Sequence, residues 1–278
     1  HHAGERPVDL VGHSMGGNVV MIYAGLRPQR IRRLVNLEGF GMPATRPTSA
    51  PKRYVAWLDE LKHYRALDPA CGSGNFLYLA LKCLKDVEHH SHLQATELGL
   101  DREADLVTGP HNVLGLELAE HAAELARVTV WIGELQWRLA HGYEFKTNPV
   151  LDTLEHIECR DALLTEGGGE AAWPAADVVV GNPPFLGQRF QIKELGDNYV
   201  RALRNTYDTH VTGNVDLVCY WFVKSLQHIL RGRCTRVGLV ATNSIRGGAN
   251  QRVLRDAVQH SKIFDAWSDL PWINAGAA

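Results

Sequence analysis

The sequence predicts an α/β protein built on parallel strands and divided into two unequal pieces. Three observations carry this. Twice, a short apolar run stops at a glycine-rich turn and resumes as an apolar helix: at Val8–Val11 with Gly12-His13-Ser14-Met15-Gly16-Gly17, and at Arg65–Leu67 with Asp68-Pro69-Ala70-Cys71-Gly72-Ser73-Gly74. Val178-Val179-Val180 shows no polar alternation, the mark of a strand covered on both faces. Strand-length apolar runs alternate with helix-length ones, as βαβ units require.

Composition narrows the class. The 278 residues are 45% hydrophobic and 22% charged, with a formal net charge of −2. These values exclude a disordered tail, a collagen-like fibre and a strongly basic nucleic-acid coat. No apolar run reaches the ~18 residues of a membrane span, and no charged-then-apolar leader opens the chain, so no membrane partner and a cytoplasmic location are expected. Cys71, Cys83, Cys159, Cys219 and Cys234 form no C-x-x-C pair and read as reduced thiols. His89, His90 and His92 cluster near acidic residues, but without a third-ligand spacing they read as a solvated loop rather than a metal site, and no metal is expected. Charge is uneven: residues 1–62 hold 9 basic and 5 acidic side chains, and residues 63–278 hold 20 and 26.

The first piece runs strand, sharp turn, helix, then a second strand at Ile31–Leu37. Gly12 and Gly16 flank Ser14 in a G-x-S-x-G turn, where small neighbours let strand and helix pass and the helix N-terminus faces the serine. Through "VDLVGHSMGGNVV" and "IRRLVNLEGFGMP", residues 1–62 resemble the α/β-hydrolase family. That resemblance makes Ser14 an alternative nucleophile. A triad also needs an acid and a histidine well downstream, and His63 stands close to the turn in sequence. An orphan elbow is therefore the expectation. Glu60-Leu61-Lys62 matches half of a nuclease E-x-K pattern and reads as a solvated helix end.

The second piece begins near His63. The strand at 65–67 enters the D-P-A-C-G-S-G-N-F turn and a helix to about Leu84, a βα unit whose glycines let backbone approach a ligand closely. It is neither the G-x-G-x-x-G fingerprint nor a P-loop. Asn112–Leu118 predicts the next strand. It ends at Glu117, where a carboxylate accepts the hydroxyls of a ribose or, alternatively, opens the next helix. A helix over about Ala119–Leu139 carries Leu125, Val128, Trp131, Ile132 and Leu135 at helical spacing, and its tryptophans read as core. The strand "HIEC" at 156–159 leads to Asp161, which suits an adenine amine or a helix cap over Ala162–Leu164. Glu166–Glu170 reads as a loop. The strand at 177–180 ends in Gly181-Asn182-Pro183-Pro184-Phe185. Two prolines fix the backbone there, so the Asn182 side-chain oxygen and the Pro183 carbonyl together accept two hydrogens of one amino group, and Phe185 stacks on its ring. Further strands are expected near 236–241 and 262–266.

With these strings in place, residues 63–278 resemble the catalytic domain of the S-adenosylmethionine-dependent adenine-N6 DNA methyltransferases. The glycine motif precedes N-P-P-F, the order of the gamma class. The closest similarity is to the large type II restriction–modification enzymes that join methylase and nuclease. "LDPACGSGNFLYLAL", "GLELAEHAAELARVTVWIGELQW", "VVVGNPPFLG", "DLVCYWFVKS", "LVATNSIRGGANQRVL" and "FDAWSDLPW" carry it. N-P-P-F alone also fits methylases of cytosine N4, RNA guanine or protein glutamine; the longer strings favour DNA adenine. The resemblance implies a Rossmann-like class I methyltransferase sheet, truncated at its C-terminal side. It implies that Asp68, Gly72 and Gly74 contact the methionine end of S-adenosyl-L-methionine, that Ala70 and Phe76 also bind the cofactor, and that Glu117 holds its ribose and Asp161 its adenine. It makes Asn182, Pro183, Pro184 and Phe185 the catalytic residues, of which Asn182, Pro183 and Phe185 hold an adenine flipped out of double-stranded DNA. It also implies target-recognition and nuclease modules outside the chain, and a helix before the glycine motif that is here replaced by hydrolase-like sequence.

Three readings compete: a methyltransferase core, a serine hydrolase centred on Ser14, and a non-catalytic truncated or chimeric fragment. Four cofactor and substrate motifs stand against one of three triad members. That favours the first over the second and barely separates it from the third.

Overall fold

The structure, a computed structural model, describes residues 8–13, 31–37, 50–97, 99, 105–144, 154–211 and 213–266. The chain divides into two compact units, His1–Trp57 and Leu58–Ala278. In the first, β1 (Val8–His13) pairs with β2 (Ile31–Leu37) in parallel, with Leu10 opposite Leu34 and His13 opposite Leu37. Ser14 and the helix predicted after it lie outside the described residues. Helix α1 (Ala50–His63) follows, and its last turns bury Leu58 and Leu61. His63 Nδ1 lies 2.8 Å from the Asp59 carbonyl oxygen of the same helix.

The second unit is a five-stranded sheet with helices on both faces. Its strands are β3 (Ala66–Asp68), β4 (Val113–Glu117), β5 (Ile157–Cys159), β6 (Val178–Gly181) and β7 (Arg236–Leu239). Their spatial order is β5-β4-β3-β6-β7 and every pairing is parallel. This is the order of a doubly wound sheet. The helices are α2 (Asn75–Glu97), α3 (Glu120–Ala140), α4 (Gln188–Leu195), α5 (Asp197–Thr206), α6 (Val218–Leu230) and α7 (Asn250–His260).

Side chains alternate between the two faces, so each strand feeds two cores. Val113 and Ile157 join Cys71, Leu77, Leu81, Ala126 and Val130 beneath α2 and α3. Leu67, Leu116 and Val179 join Leu203, Tyr207, Val218 and Trp221 on the side of α5 and α6.

Helix α3 corrects its sequence reading. Leu125, Val128, Ile132, Leu135 and Leu139 lie on its exposed face. The buried face holds Ala123, Ala126, Val130, Gly133 and Trp137, mostly small residues that let α3 lie close to α2. Both faces are apolar, so periodicity locates the helix without saying which face is covered. Trp137 is buried and Trp131 half-buried.

Two further expectations are corrected. Residues 262–266 form no strand and are mostly exposed, because their backbone joins no ladder to β7. His89, His90 and His92 lie on α2 rather than in a loop, and His92 is fully buried 3.2 Å from Glu88. That pair belongs to a polar network that fastens α2 and α3 to the segment before β4. Glu88 accepts the Val107 and Thr108 amides at 2.6 and 2.9 Å. Lys85 Nζ stands 2.8 Å from Glu134, and Arg138 Nε donates to Glu134 at 2.6 Å. Pairing offsets the cost of burying these charges. Among the described residues, no three His, Cys, Asp or Glu side chains group to hold a metal ion, and no helix is long and apolar enough to cross a membrane.

Candidate functional site

The chain leaves β3 towards β4 and leaves β6 towards β7, in opposite directions. Between adjacent strands β3 and β6 this opens a crevice at their carboxyl ends, the place where doubly wound sheets bind ligands. The two strongest sequence motifs both end there.

Asp68 closes β3. It is 1% exposed, and its Oδ1 accepts the Ala70 amide at 3.0 Å. Burial pushes its carboxyl up to about 7; the Ala70 hydrogen bond opposes this and Glu117 adds to it. The loop beyond is fastened from several elements. The Cys71 amide donates to the Leu116 carbonyl at 3.0 Å, and the Gly74 amide to the Cys71 carbonyl at 2.8 Å. From α6, Trp221 Nε1 donates to the Pro69 carbonyl at 3.1 Å.

Gly72 has φ +51°, and a β-carbon there would meet nothing within 4 Å, so its backbone faces open space. Gly74 has φ +87°, and a β-carbon would stand 2.9 Å from the Ala126 backbone, so only glycine fits against α3. Ala70 and Phe76 are half-buried beside them. The Cys71 thiol is pushed up to about 12, by burial and then by Asp68 and Glu117, so it stays a neutral packing group.

Glu117 closes β4 and reaches the same loop. Its Oε2 accepts the Gly72 amide at 2.9 Å and its Oε1 the Ala119 amide at 2.9 Å. Each oxygen keeps a lone pair, so the group is held in place and still able to accept. Asp161 follows β5. Its Oδ1 accepts the Leu163 and Leu164 amides at 2.7 and 3.2 Å, and its Oδ2 accepts the Tyr199 hydroxyl at 2.8 Å. No helix forms at 162–164, so the alternative reading of Asp161 as a helix cap becomes a turn held by the same bonds.

Past β6, the Val240 amide donates to the Gly181 carbonyl at 3.0 Å. Asn182 Oδ1 is buried and has no hydrogen-bond partner. Pro183 is buried, Pro184 is exposed, and Phe185 is 43% exposed. The following segment is pinned. Leu186 accepts the Leu217 amide at 2.9 Å, and Asp216 accepts the Gln188 amide at 3.2 Å and the Asn250 side-chain amide at 2.8 Å. The Asn182 loop is therefore rigid while its amide oxygen is unused.

The structure thus gathers Asp68, Ala70, Gly72, Gly74, Phe76 and Glu117 around one loop, places Asp161 after the next strand, and sets Asn182–Phe185 across the crevice. Ser14 lies outside the described residues. Sequence reasoning missed Gly181, Tyr199 and Trp221. Gly181 and Trp221 stand inside quoted strings, but the contacts that Tyr199 and Trp221 make are long-range and leave no local signal.

Residues 46–278 match the family described as MmeI, DNA-methyltransferase domain. Residues 1–81 match the alpha/beta hydrolase fold, and the two matches overlap over 46–81. Helix α1 therefore falls within both matches, including the methyltransferase one, where hydrolase-like sequence alone was expected. DNA methyltransferase A of Bacillus subtilis (strain 168) is 27% identical over 231 residues, covering 78% of this chain and 25% of the relative. A putative type II restriction enzyme and methyltransferase of Methanocaldococcus jannaschii is 35% identical over 82 residues, covering 29% of this chain and 7% of the relative. The chain thus spans a quarter or less of the length of these curated relatives. Among solved structures, the Type IIL restriction–modification enzyme MmeI in complex with DNA shares the fold, with a TM-score of 0.55, 21% identity, and coverage of 76% of this chain and 29% of that chain.

Proposed function

The chain belongs to the MmeI DNA-methyltransferase domain family, and on that premise we propose that it binds S-adenosyl-L-methionine and methylates adenine N6 in double-stranded DNA. The observation that carries this is the buried, unpartnered Oδ1 of Asn182 at the sheet's switch point. A buried acceptor without a partner costs stability, and an amino group in the crevice supplies the missing donor.

The residues present fit the cofactor. Asp68 is a buried carboxylate next to an open glycine loop and suits the ammonium of a methionine end; an ammonium there returns Asp68 to its ionised form. Glu117 keeps lone pairs for two ribose hydroxyls, and Asp161 keeps acceptor capacity for an adenine amine. When bound, the cofactor supplies a sulfonium-activated methyl group.

The chain's own part is to hold and orient. Asn182 Oδ1 and the Pro183 carbonyl accept the two hydrogens of the target amine, which draws its lone pair out of conjugation. Phe185, 43% exposed, offers a stacking face for a base flipped from the duplex. Such catalysis is positioning and electrostatics, without a covalent intermediate. Residues 63–278 hold 20 basic and 26 acidic side chains, so duplex affinity calls for phosphate-neutralising groups from a target-recognition module.

Calorimetry with S-adenosylmethionine tests the reading, with Asp68→Ala as control. Saturable binding lost in the variant, followed by methyl transfer to mixed-sequence DNA, supports it; a folded chain that binds no cofactor overturns it. A serine hydrolase centred on Ser14 has the residue 1–81 match in its favour, and fluorophosphonate labelling of Ser14 tests it separately.

A further inference from the structure

Helix α5 and the residue that caps its C-terminus, Tyr207, grip the loop that carries Asp161. Tyr199 Oη donates to Asp161 Oδ2 at 2.8 Å, Thr206 Oγ1 donates to the Gly168 carbonyl at 2.8 Å, and Tyr207 Oη donates to the Leu163 carbonyl at 2.9 Å. The helix is itself anchored by Val200 and Leu203, which are buried. The Asp161 carboxylate therefore has no freedom to turn: Oδ1 is held by two backbone amides and Oδ2 by a phenol.

An ionised carboxylate offers about four lone-pair sites. Three donors already occupy Asp161, which leaves one acceptor position of fixed direction. A single fixed acceptor takes one N–H and repels an oxygen in the same place. We infer that Tyr199 is a positioning residue that makes Asp161 selective for a ligand ring bearing an exocyclic amine over the same ring bearing a carbonyl oxygen. This rests on the proposed assignment of Asp161 to the cofactor's adenine and extends it by naming the residue that sets the discrimination.

The structural alternative is that Tyr199 only fastens α5 to the loop. Tyr207 provides the comparison, because its hydroxyl also bonds this loop, at the Leu163 carbonyl, without touching Asp161. Burial, then Asp161, holds the Tyr199 phenol well above its ordinary value, so it remains a donor throughout the working pH range.

The test uses calorimetry with S-adenosylhomocysteine and its deaminated counterpart, S-inosylhomocysteine, on the wild type, Tyr199→Phe and Tyr207→Phe. The wild type is expected to prefer the adenosyl ligand by roughly tenfold or more, since the half-buried Asp161 acceptor left facing an oxygen loses its hydrogen bond. Tyr199→Phe should shrink that ratio several-fold, mainly by weakening the adenosyl ligand. Tyr207→Phe should weaken both ligands together and leave the ratio in place. An unchanged ratio in Tyr199→Phe overturns the inference while leaving the cofactor reading intact. A wild type that binds neither ligand overturns both. Should Tyr199→Phe fail to fold, the wild-type ratio still decides: a ratio near one overturns the inference without any variant.

Discussion

The carboxylate of Asp68 fills the space in front of the Gly181 α-carbon: a β-carbon on residue 181 would stand 2.6 Å from Asp68 Oδ1 and 3.2 Å from its Cγ. The last residue of β3 and the last residue of β6 are thus fitted to each other. The proposed cofactor loop and the proposed target-base loop meet at this contact.

Gly181→Ala should lower stability by about 1–3 kcal/mol, the usual cost of overpacking a close-fitted interior. Asp68 cannot swing away without giving up its Ala70 hydrogen bond. In urea denaturation, adding Asp68→Ala should remove most of the Gly181→Ala penalty. Strict additivity of the two changes would show that the contact is not the cause.

Asp68→Asn should raise stability at high pH. The folded carboxyl titrates at about 7 against an ordinary 3.8. Between those values the folded chain keeps a proton that the unfolded chain has lost, so stability falls as pH rises through the window, and the penalty is complete above it. Asparagine carries no charge to desolvate. Its advantage should be absent below about pH 4, grow up to about pH 7 and then level off, at on the order of 4 kcal/mol at most. Denaturant midpoints at pH 4, 5.5 and 8 check this. The same variant should lose cofactor affinity, a gain in stability coupled to a loss of binding.

Asn182→Ala should leave folding stability unchanged within about 1 kcal/mol, or raise it, because the oxygen removed has no partner to lose. Cofactor binding should persist. Methyl transfer to DNA should fall by about 100-fold or more, the scale of losing an oriented polar group in a reaction site. Urea melts and labelled-methyl incorporation measure the two sides, and a large drop in stability would show that Asn182 is structural.

On α3, Ile132→Gln should change stability by no more than about 0.5 kcal/mol, since the side chain is 48% exposed. Val130→Ala should cost about 2 kcal/mol, because Val130 is fully buried against the α2 side of the core. Denaturation midpoints of the pair test the assignment of faces. A reversed order would place the covered face on the other side.

The sequence announced every strand of the sheet through local chemistry: apolar runs without alternation, glycine turns, and acids or N-P-P-F just past the strand ends. Their convergence follows from parallel order, which sets all those ends along one edge. What stayed hidden is of another kind. The face of α3 was illegible because leucines and small residues make two apolar stripes, and only the close approach of α2 chooses between them. The strand expected at 262–266 has apolar residues but no ladder. Tyr199 and Trp221 look like ordinary core aromatics until the fold brings their polar atoms to Asp161 and Pro69. Gly181 reads as a turn residue, whereas its need for a missing side chain comes from Asp68, more than a hundred positions earlier.

The strand order also fixes when the site can exist during synthesis. β3 lies mid-sheet, but its partner β6 leaves the ribosome after about a hundred further residues, and the Trp221 bond to Pro69 spans 152. Until then the glycine loop is flanked by β4 alone, with one edge of β3 open to pairing. Contacts this distant along the chain slow folding. The nascent protein therefore carries its most recognisable motif unassembled until α6 has emerged, and any pause in translation before α6 prolongs that exposure.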